Sequence, residues 1–171
     1  SFITFSSPEP DKLRAVLFWL LGSLSGTRWG LVPLPAIVTA LGLGLLVALA
    51  RPLDALLVGE EPAQSLGMPV ERIKRGLIVL AAAVTGTLVA VSGAIGFVGL
   101  IVPHAVRLVV GVPHRRLVPL SFGVGAIFLC WADVAARTVL PAQELPVGIL
   151  TALCGVPFFL FLLRSGHYRF G

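Results

Sequence analysis

Long uncharged stretches alternate with short charged segments along most of this chain. Four windows carry no charged residue at all: 31–50, 77–103, 117–132 and 145–163. A helix needs about 20 apolar residues to cross a bilayer, and the second window is long enough for one crossing and the start of another. A transmembrane barrel would show short alternating segments instead. The pattern therefore predicts an all-α, polytopic membrane bundle.

The windows and the charges between them predict five complete spans, over residues 31–50, 76–91, 96–110, 117–139 and 147–163. Arg51-Pro52 is expected to stop the first span. Residues 1–7 resemble the end of a preceding span, so we expect the chain to be a fragment of a longer protein. An apolar helix over 12–26 is too short to cross the bilayer, which is typical of a re-entrant or interfacial segment.

Composition supports a membrane protein, and the charge distribution predicts its orientation. Hydrophobic residues make up 57% of the chain and charged residues 12%, whereas soluble domains carry about 25% charged residues. The net charge of +5 does not indicate nucleic-acid binding, because the basic residues lie between spans. Positively charged loops face the cytoplasm, so the 51–76 and 111–116 loops and the C-terminus are predicted to be cytoplasmic, and LPAQELPVG is predicted to be an extracytoplasmic turn.

The only long polar stretch covers residues 52–75. Pro62 and Pro69 each suit the first position of a short helix, and Gly67 suits the C-terminal cap between them, which predicts two short surface helices. Glu60 and Glu61 either provide favourable charge at a helix N-terminus or form part of a docking surface for a soluble partner.

Glycine spacing offers two further predictions. Gly93, Gly96 and Gly99 recur every three residues, a spacing that lets a neighbouring backbone approach closely. Gly22 and Gly26 form a GxxxG pair, which also suggests helix packing. The surrounding GSLSGT is not a phosphate-binding loop, because no lysine follows it.

Polar residues inside the spans offer few candidate sites. His104 precedes Arg107 by three positions, and it either bonds to a neighbouring helix or lies near a path through the bundle. Asp133 and Arg137 are four residues apart, so they can form an ion pair on one helix face and lower the cost of insertion. No set of histidines or cysteines has metal-ligand spacing, and Cys130 and Cys154 suit small buried positions. No lone buried carboxylate suggests a proton relay.

Several long motifs give the chain a family resemblance: FWLLGSLSG, GEEPAQSLGM, GAIGFVGLIVPHAVRLVVGVPHRRLVPLS, ADVAART and ELPVGILTALCGVPFFLFLLR. Together they resemble the FecCD family, the permease subunits of ABC importers for iron chelates, haem and vitamin B12. The resemblance covers essentially the whole chain. It implies a type II importer permease fold, with residues 1–171 forming one partial transmembrane domain that corresponds to the C-terminal half.

The resemblance also implies roles for particular residues. Residues Asp11–Leu24 match a short helix at the outer mouth that helps to gate the path, with Trp19, Gly22, Ser23 and Ser25 as its candidate residues. Residues 52–75 match the cytoplasmic coupling loop that contacts the ATPase, through Glu60, Glu61, Ala63, Ser65, Leu66 and Gly67. Pro103, His104 and Arg107 match a PHxxR motif, to which we assign either a path role or a structural role.

The implied partners are a second permease subunit, identical or different, two cytoplasmic ATPases that bind ATP and magnesium, and an extracytoplasmic binding protein. The implied location is the bacterial cytoplasmic membrane. The chain itself is expected to bind no cofactor, no metal and no nucleic acid, and to catalyse no reaction. A secondary transporter or channel is the alternative; an intramembrane enzyme would need a catalytic dyad or a metal set that the sequence does not offer.

Overall fold

A computed structural model describes residues 10–139 and 145–164. The predicted end of a preceding span (1–7), most of the predicted extracytoplasmic turn (140–144) and the C-terminal segment (165–171) lie outside the described residues. The described part contains helices and connections without strands, which confirms the all-α prediction. The helices are α1 Pro10–Leu21, α2 Pro33–Ala48, α3 Ala50–Leu56, α4 Glu60–Ser65, α5 Val70–Ser92, α6 Val98–Val110, α7 His114–Thr138 and α8 Val147–Arg164.

Each of the five predicted spans coincides with a helix. Three helical segments are long and apolar enough to cross a membrane: Trp29–Ala48, which includes a 3-10 turn before α2, Val70–Ser92 and His114–Thr138. Helices α6 and α8 are shorter and also apolar. The 13 residues of α6 extend about 20 Å, which is less than the roughly 30 Å apolar core of a bilayer, so three of the five predicted spans have the length of a complete crossing in the described residues.

The first predicted helix break lies two residues earlier than expected. Arg51 and Pro52 do not stop the helical path but lie in the first turn of α3. The interruption is at Leu49 (φ −85°, ψ 8°), between α2 and α3. Because proline has no N–H, Pro52 cannot bond to the carbonyl four residues before it, and its ring crowds that carbonyl. The break therefore occurs one turn before the proline.

The polar stretch contains one separate surface helix rather than two. Helix α4 is the first of the predicted pair, but Pro62 is its third residue, not its first. The second predicted helix is the start of α5, which runs on into the membrane span after Pro69. Gly67 does end α4, with φ +81°. The Gly67 and Met68 N–H groups donate to the carbonyls of Gln64 (2.8 Å) and Ala63 (3.2 Å), which is a Schellman motif.

The short helix predicted over 12–26 ends at Leu21. Gly22 leaves the helix with φ +75°, so Gly22 and Gly26 do not share a helix face, and the predicted GxxxG packing is wrong. A Cβ at Gly26, Gly96 or Gly99 would meet no atom within 4 Å. Of the predicted glycine run, only Gly93 has a close backbone neighbour, the carbonyl of Trp19.

The buried core of the bundle lies between α6 and α7. It consists of Val102, Val106 and Leu117, flanked by Val98, Val110 and Phe128. Helix α2 packs on α5 and α7, α8 packs on α6 and α7, and α1 contacts α8. Many large apolar side chains elsewhere are exposed, as expected of helices whose outer faces meet lipid or other helices. One end of the bundle carries the connections 57–69 and 111–113. The other end carries the connections 22–28 and 93–97.

Candidate functional site

Helix α4 is held against the bundle at the end that the basic residues predict to be cytoplasmic. Ala63 is only 1% exposed and anchors the inner face of the helix. Lys74 on α5 donates to both carboxylate oxygens of Glu60, at 2.9 and 3.1 Å. The Ser65 hydroxyl donates to the Glu61 carbonyl at 2.9 Å. The burial of Ala63 and the Lys74 contact hold α4 against its neighbours, while the Ser65 bond lies within α4 itself.

The outward face of α4 differs in part from the face that the sequence suggested. Glu61, Ser65 and Gly67 are exposed, and Leu66 is 80% exposed. Ala63 faces the protein interior, so it cannot contribute to an exposed docking surface. Glu60 is already paired with Lys74, which leaves Leu66 as the main apolar group that this helix presents.

At the same end of the bundle, a second contact joins α3 to the start of α7, and its two residues are 60 positions apart in sequence. Asp54 Oδ1 on α3 accepts a hydrogen bond from the His114 backbone N–H at 2.9 Å and lies 2.6 Å from His114 Nδ1. These two hydrogen bonds, with the backbone bond contributing most, hold the pKa of Asp54 below its usual range. Sequence reasoning missed this contact, because neither residue belongs to a motif that would link them.

At the opposite end of the bundle, Gly22, Gly93 and Gly148 lie where α1, the α5–α6 connection and α8 pack closely together. We call this contact the glycine seam. The Ala94 N–H donates to the Trp19 carbonyl at 3.2 Å, and the Ser23 N–H donates to the Ser92 carbonyl at 2.8 Å. A Cβ at Gly93 would overlap the Trp19 carbonyl oxygen, and one at Gly148 would overlap that of Leu21. A Cβ at Gly22 would lie 2.7 Å from Ile95 Cγ1. The seam fastens the end of α1 to the α5–α6 connection and to α8.

The predicted gate residues lie at and beside this seam. Trp19 is 53% exposed, and its carbonyl belongs to the seam while its ring does not fill the core. The Ser23 and Ser25 hydroxyls are 2.8 Å apart, and Ser25 is exposed. Because Gly22 is itself tightly packed, replacing it with leucine would disturb this interface directly and would not isolate a gating role. Sequence reasoning did not connect Gly22 with Gly148, since helix-start glycines have no distinctive pattern.

Pro103, His104 and Arg107 line a cavity of about 260 Å³ between α6 and α8. Phe158 and Phe159 form much of the facing wall. The rings of His104 and Phe158 meet edge to face, with centroids 6.1 Å apart. His104 therefore contacts a neighbouring helix, as one of its two interpretations requires, and it also borders a cavity, as the other requires.

Phe97 is a residue of this region that sequence reasoning missed. Its φ is +66°, and no other non-glycine residue in the described part has a positive φ. This conformation places the Phe97 ring against Gly155 of α8, where any Cβ would overlap it. A phenylalanine in the left-handed region costs about 1–2 kcal/mol, so the packing of its ring must offset that strain.

The remaining candidates are the polar pair on α7 and the residue types that can bind metal ions. Arg137 Nε donates to Asp133 Oδ2 at 2.9 Å along α7. Among the described residues, no three His, Cys, Asp or Glu side chains are grouped so that they could hold a metal ion. Cys130 and Cys154 are exposed thiols, contrary to the prediction that they are buried; exposure here means that they face lipid or other helices.

Comparisons with known proteins agree with this architecture. The FecCD transport family matches residues 1–165. The cobalamin import system permease protein BtuC of Halobacterium salinarum is 50% identical over 169 residues, 99% of this chain and 45% of that protein. The hemin transport system permease protein HmuU of Yersinia pestis is 43% identical over 172 residues, 99% of this chain and 51% of that protein.

Two further proteins extend the comparison to other cargoes and to a solved structure. The Fe(3+) dicitrate transport system permease protein FecD of Escherichia coli is 43% identical over 155 residues, 91% of this chain and 49% of that protein. A metal-chelate type ABC transporter in an inward-facing conformation superimposes with a TM-score of 0.85 and 34% identity, over 96% of this chain and 53% of that chain. The chain thus spans about half the length of these relatives, and it belongs to the FecCD transport family.

Proposed function

We propose that this chain is part of the membrane-spanning permease subunit of an ATP-driven ABC importer. The observation that carries the proposal is helix α4, a short capped helix with an exposed leucine, held in place between two apolar spans. The named relatives are permease proteins of import or transport systems, and we propose that a separate ATPase supplies the energy for transport. A rigid helix outside the membrane gives such an ATPase a surface through which it can exert force on the permease.

The proposed cargo is a metal chelate or a cobalamin-type molecule. The named relatives import cobalamin, ferric dicitrate and hemin, which are bulky molecules that each contain a coordinated metal. Family membership supports this class and does not distinguish its members. In an importer with an extracytoplasmic binding protein, selection among these cargoes is left largely to that protein.

The complete importer would comprise two permease subunits, two ATPases that bind ATP and magnesium, and one binding protein. Its location would be the cytoplasmic membrane, with α4 and the C-terminus on the cytoplasmic side. Basic residues support this orientation, because Arg72 and Lys74 begin α5, and Arg115 and Arg116 begin α7, at the same end as α4. The glycine seam then lies at the outer mouth, where Trp19, Ser23 and Ser25 would border the path.

Docking of α4 into the ATPase would depend mainly on Leu66. Exposed ion pairs contribute only about 0–1 kcal/mol, so breaking the Glu60–Lys74 pair should have a small effect. A charge at position 66 would instead be buried without a partner when the ATPase binds. A cost of about 2 kcal/mol would weaken binding roughly thirtyfold. Because Leu66 is 80% exposed, the substitution should leave the permease folded.

The test compares Leu66→Asp with Leu66→Met and Glu60→Gln in the full-length importer. ATPase binding and ATP-dependent uptake into proteoliposomes are measured together. Leu66→Asp should release the ATPase or uncouple hydrolysis from uptake, whereas both controls should retain most of each activity. Uptake that requires an ion gradient and no ATP would instead favour a secondary transporter or channel. Normal ATPase docking and normal uptake in Leu66→Asp would show that α4 only connects two spans and does not dock through Leu66.

A further inference from the structure

The Asp54–His114 contact connects two parts of the permease that the proposed function treats separately. Resting on that function, we propose that Asp54 is a positioning residue that fastens the α3–α4 segment to the first turn of α7, so that movement of α4 carries α7 with it. The contact comprises the 2.9 Å bond from the His114 N–H and the 2.6 Å approach of its Nδ1. It bridges segments that are 60 residues apart.

Helix α7 needs this carboxylate because its own sequence supplies no cap. Its N-terminal capping position is Pro113, and no side chain there bonds to the first N–H groups. The first turn of a helix leaves four N–H groups without helical partners, and it favours negative charge. Asp54 supplies both an acceptor and a charge from another helix. A hydrogen bond to an ionised acceptor is about twice as strong as a neutral one, which makes this contact a suitable tether.

From α7 the movement can pass to the helix that lines the cavity. Leu117, three residues after His114, is 4% exposed and packs with Val102 and Val106 of α6. Helix α6 carries His104 and Arg107, which line the cavity facing α8. Close-packed interiors transmit displacement rather than absorb it. The tether therefore gives α4 a route to the α6–α8 cavity that does not pass through α5.

The first test measures coupling in the full-length importer with its ATPase and binding protein in proteoliposomes. The variants are Asp54→Leu, His114→Ala, the double variant and Asp54→Asn, with cobalamin, ferric dicitrate and hemin each tried as cargo. Asp54→Leu removes both bonds and should lower the cargo moved per ATP by about fivefold or more, the low end for linked sites. His114→Ala keeps the backbone bond and should lower this ratio less, and the double variant should be no worse than Asp54→Leu alone. Asp54→Asn keeps the acceptor oxygen and should retain most coupling.

The second test does not depend on transport. Spin labels at Leu66 on α4 and Val112 before α7 report the distance between the two segments in the full-length permease without its ATPase. The distance distribution should be narrow in otherwise unaltered protein and in Asp54→Asn, and broad in Asp54→Leu. Equal widths in all three would overturn the tether, whatever the cargo assay shows. Absence of ATP-dependent uptake by the unaltered importer would contradict the proposed function alone.

An unchanged cargo-to-ATP ratio in Asp54→Leu, in an importer that does transport, would also overturn the inference. A purely structural role predicts a different result: a lower melting temperature and less folded protein, but the same ratio in the protein that remains.

Discussion

The glycine run at residues 93, 96 and 99 allows a sharp test of the structure. Sequence spacing treats the three glycines alike, but the structure distinguishes them. Gly93 has φ +68°, and a Cβ there would overlap the Trp19 carbonyl oxygen. Gly96 does not have a positive φ, and a Cβ there would meet nothing within 4 Å. Gly93→Ala and Gly96→Ala are therefore a matched pair of substitutions that differ in backbone conformation and in tertiary contact.

The expected cost of Gly93→Ala has two parts. Gly93 has φ +68° and ψ −170°, a region that is essentially restricted to glycine, so an alanine there costs about 1–3 kcal/mol. Relieving the overlap moves α1 away from the connection and weakens the 3.2 Å bond from the Ala94 N–H to the Trp19 carbonyl, which is worth about 1 kcal/mol. The free energy of unfolding should thus fall by about 2–4 kcal/mol. Gly96→Ala should change it by no more than about 0.5 kcal/mol.

The assay is an equilibrium unfolding titration of the full-length permease in mixed micelles with increasing SDS, followed by helical circular dichroism. Binding of a conformation-specific partner, such as the ATPase, checks that each variant is folded before the titration. Equal losses in the two variants, or a loss below about 0.5 kcal/mol for Gly93→Ala, would refute the seam as the structure describes it.

Three further predictions concern charged residues. Arg137→Leu leaves Asp133 unpaired within a span and should reduce insertion and yield, while adding Asp133→Leu should restore both, because a matched apolar pair leaves no buried charge; membrane-fraction yields measure this. A cysteine at Lys74 should react with an impermeant thiol reagent only from the cytoplasm, and one at Arg28 only from outside; labelling of both from one side would contradict the topology. Because the folded-state pKa of Asp54 lies below its ordinary value of 3.8, its stabilisation should be complete above about pH 4 and be lost as the pH falls through the lowered pKa. The difference in melting temperature between unaltered protein and Asp54→Leu should therefore narrow in acid, and a difference that is constant from neutral pH to acid would contradict the ionised tether.

The sequence by itself determined the helical class, the positions of the spans and the family. Each of these depends on local patterns: uncharged windows of membrane length, basic residues between them, and ordered motifs. The cap at Gly67 and the Asp133–Arg137 pair are also local, since both lie within a single helix or its end. The spans could be predicted because a bilayer imposes the same demand on every spanning segment, whatever its neighbours are. The cap and the ion pair could be predicted because each depends only on residues that are close in sequence.

Only the tertiary structure decided which residues meet across helices. In the structure Ala63 is buried while Leu66 is exposed, and Gly93 packs closely against a neighbouring backbone while Gly96 does not. Asp54 contacts the start of a helix that lies 60 residues away in sequence. Hydrophobic periodicity does not predict such pairings, because nearly every face of an apolar helix is equally acceptable to lipid. The neighbour of a given face is set by shape and by a few polar contacts, and those depend on how all the helices pack together.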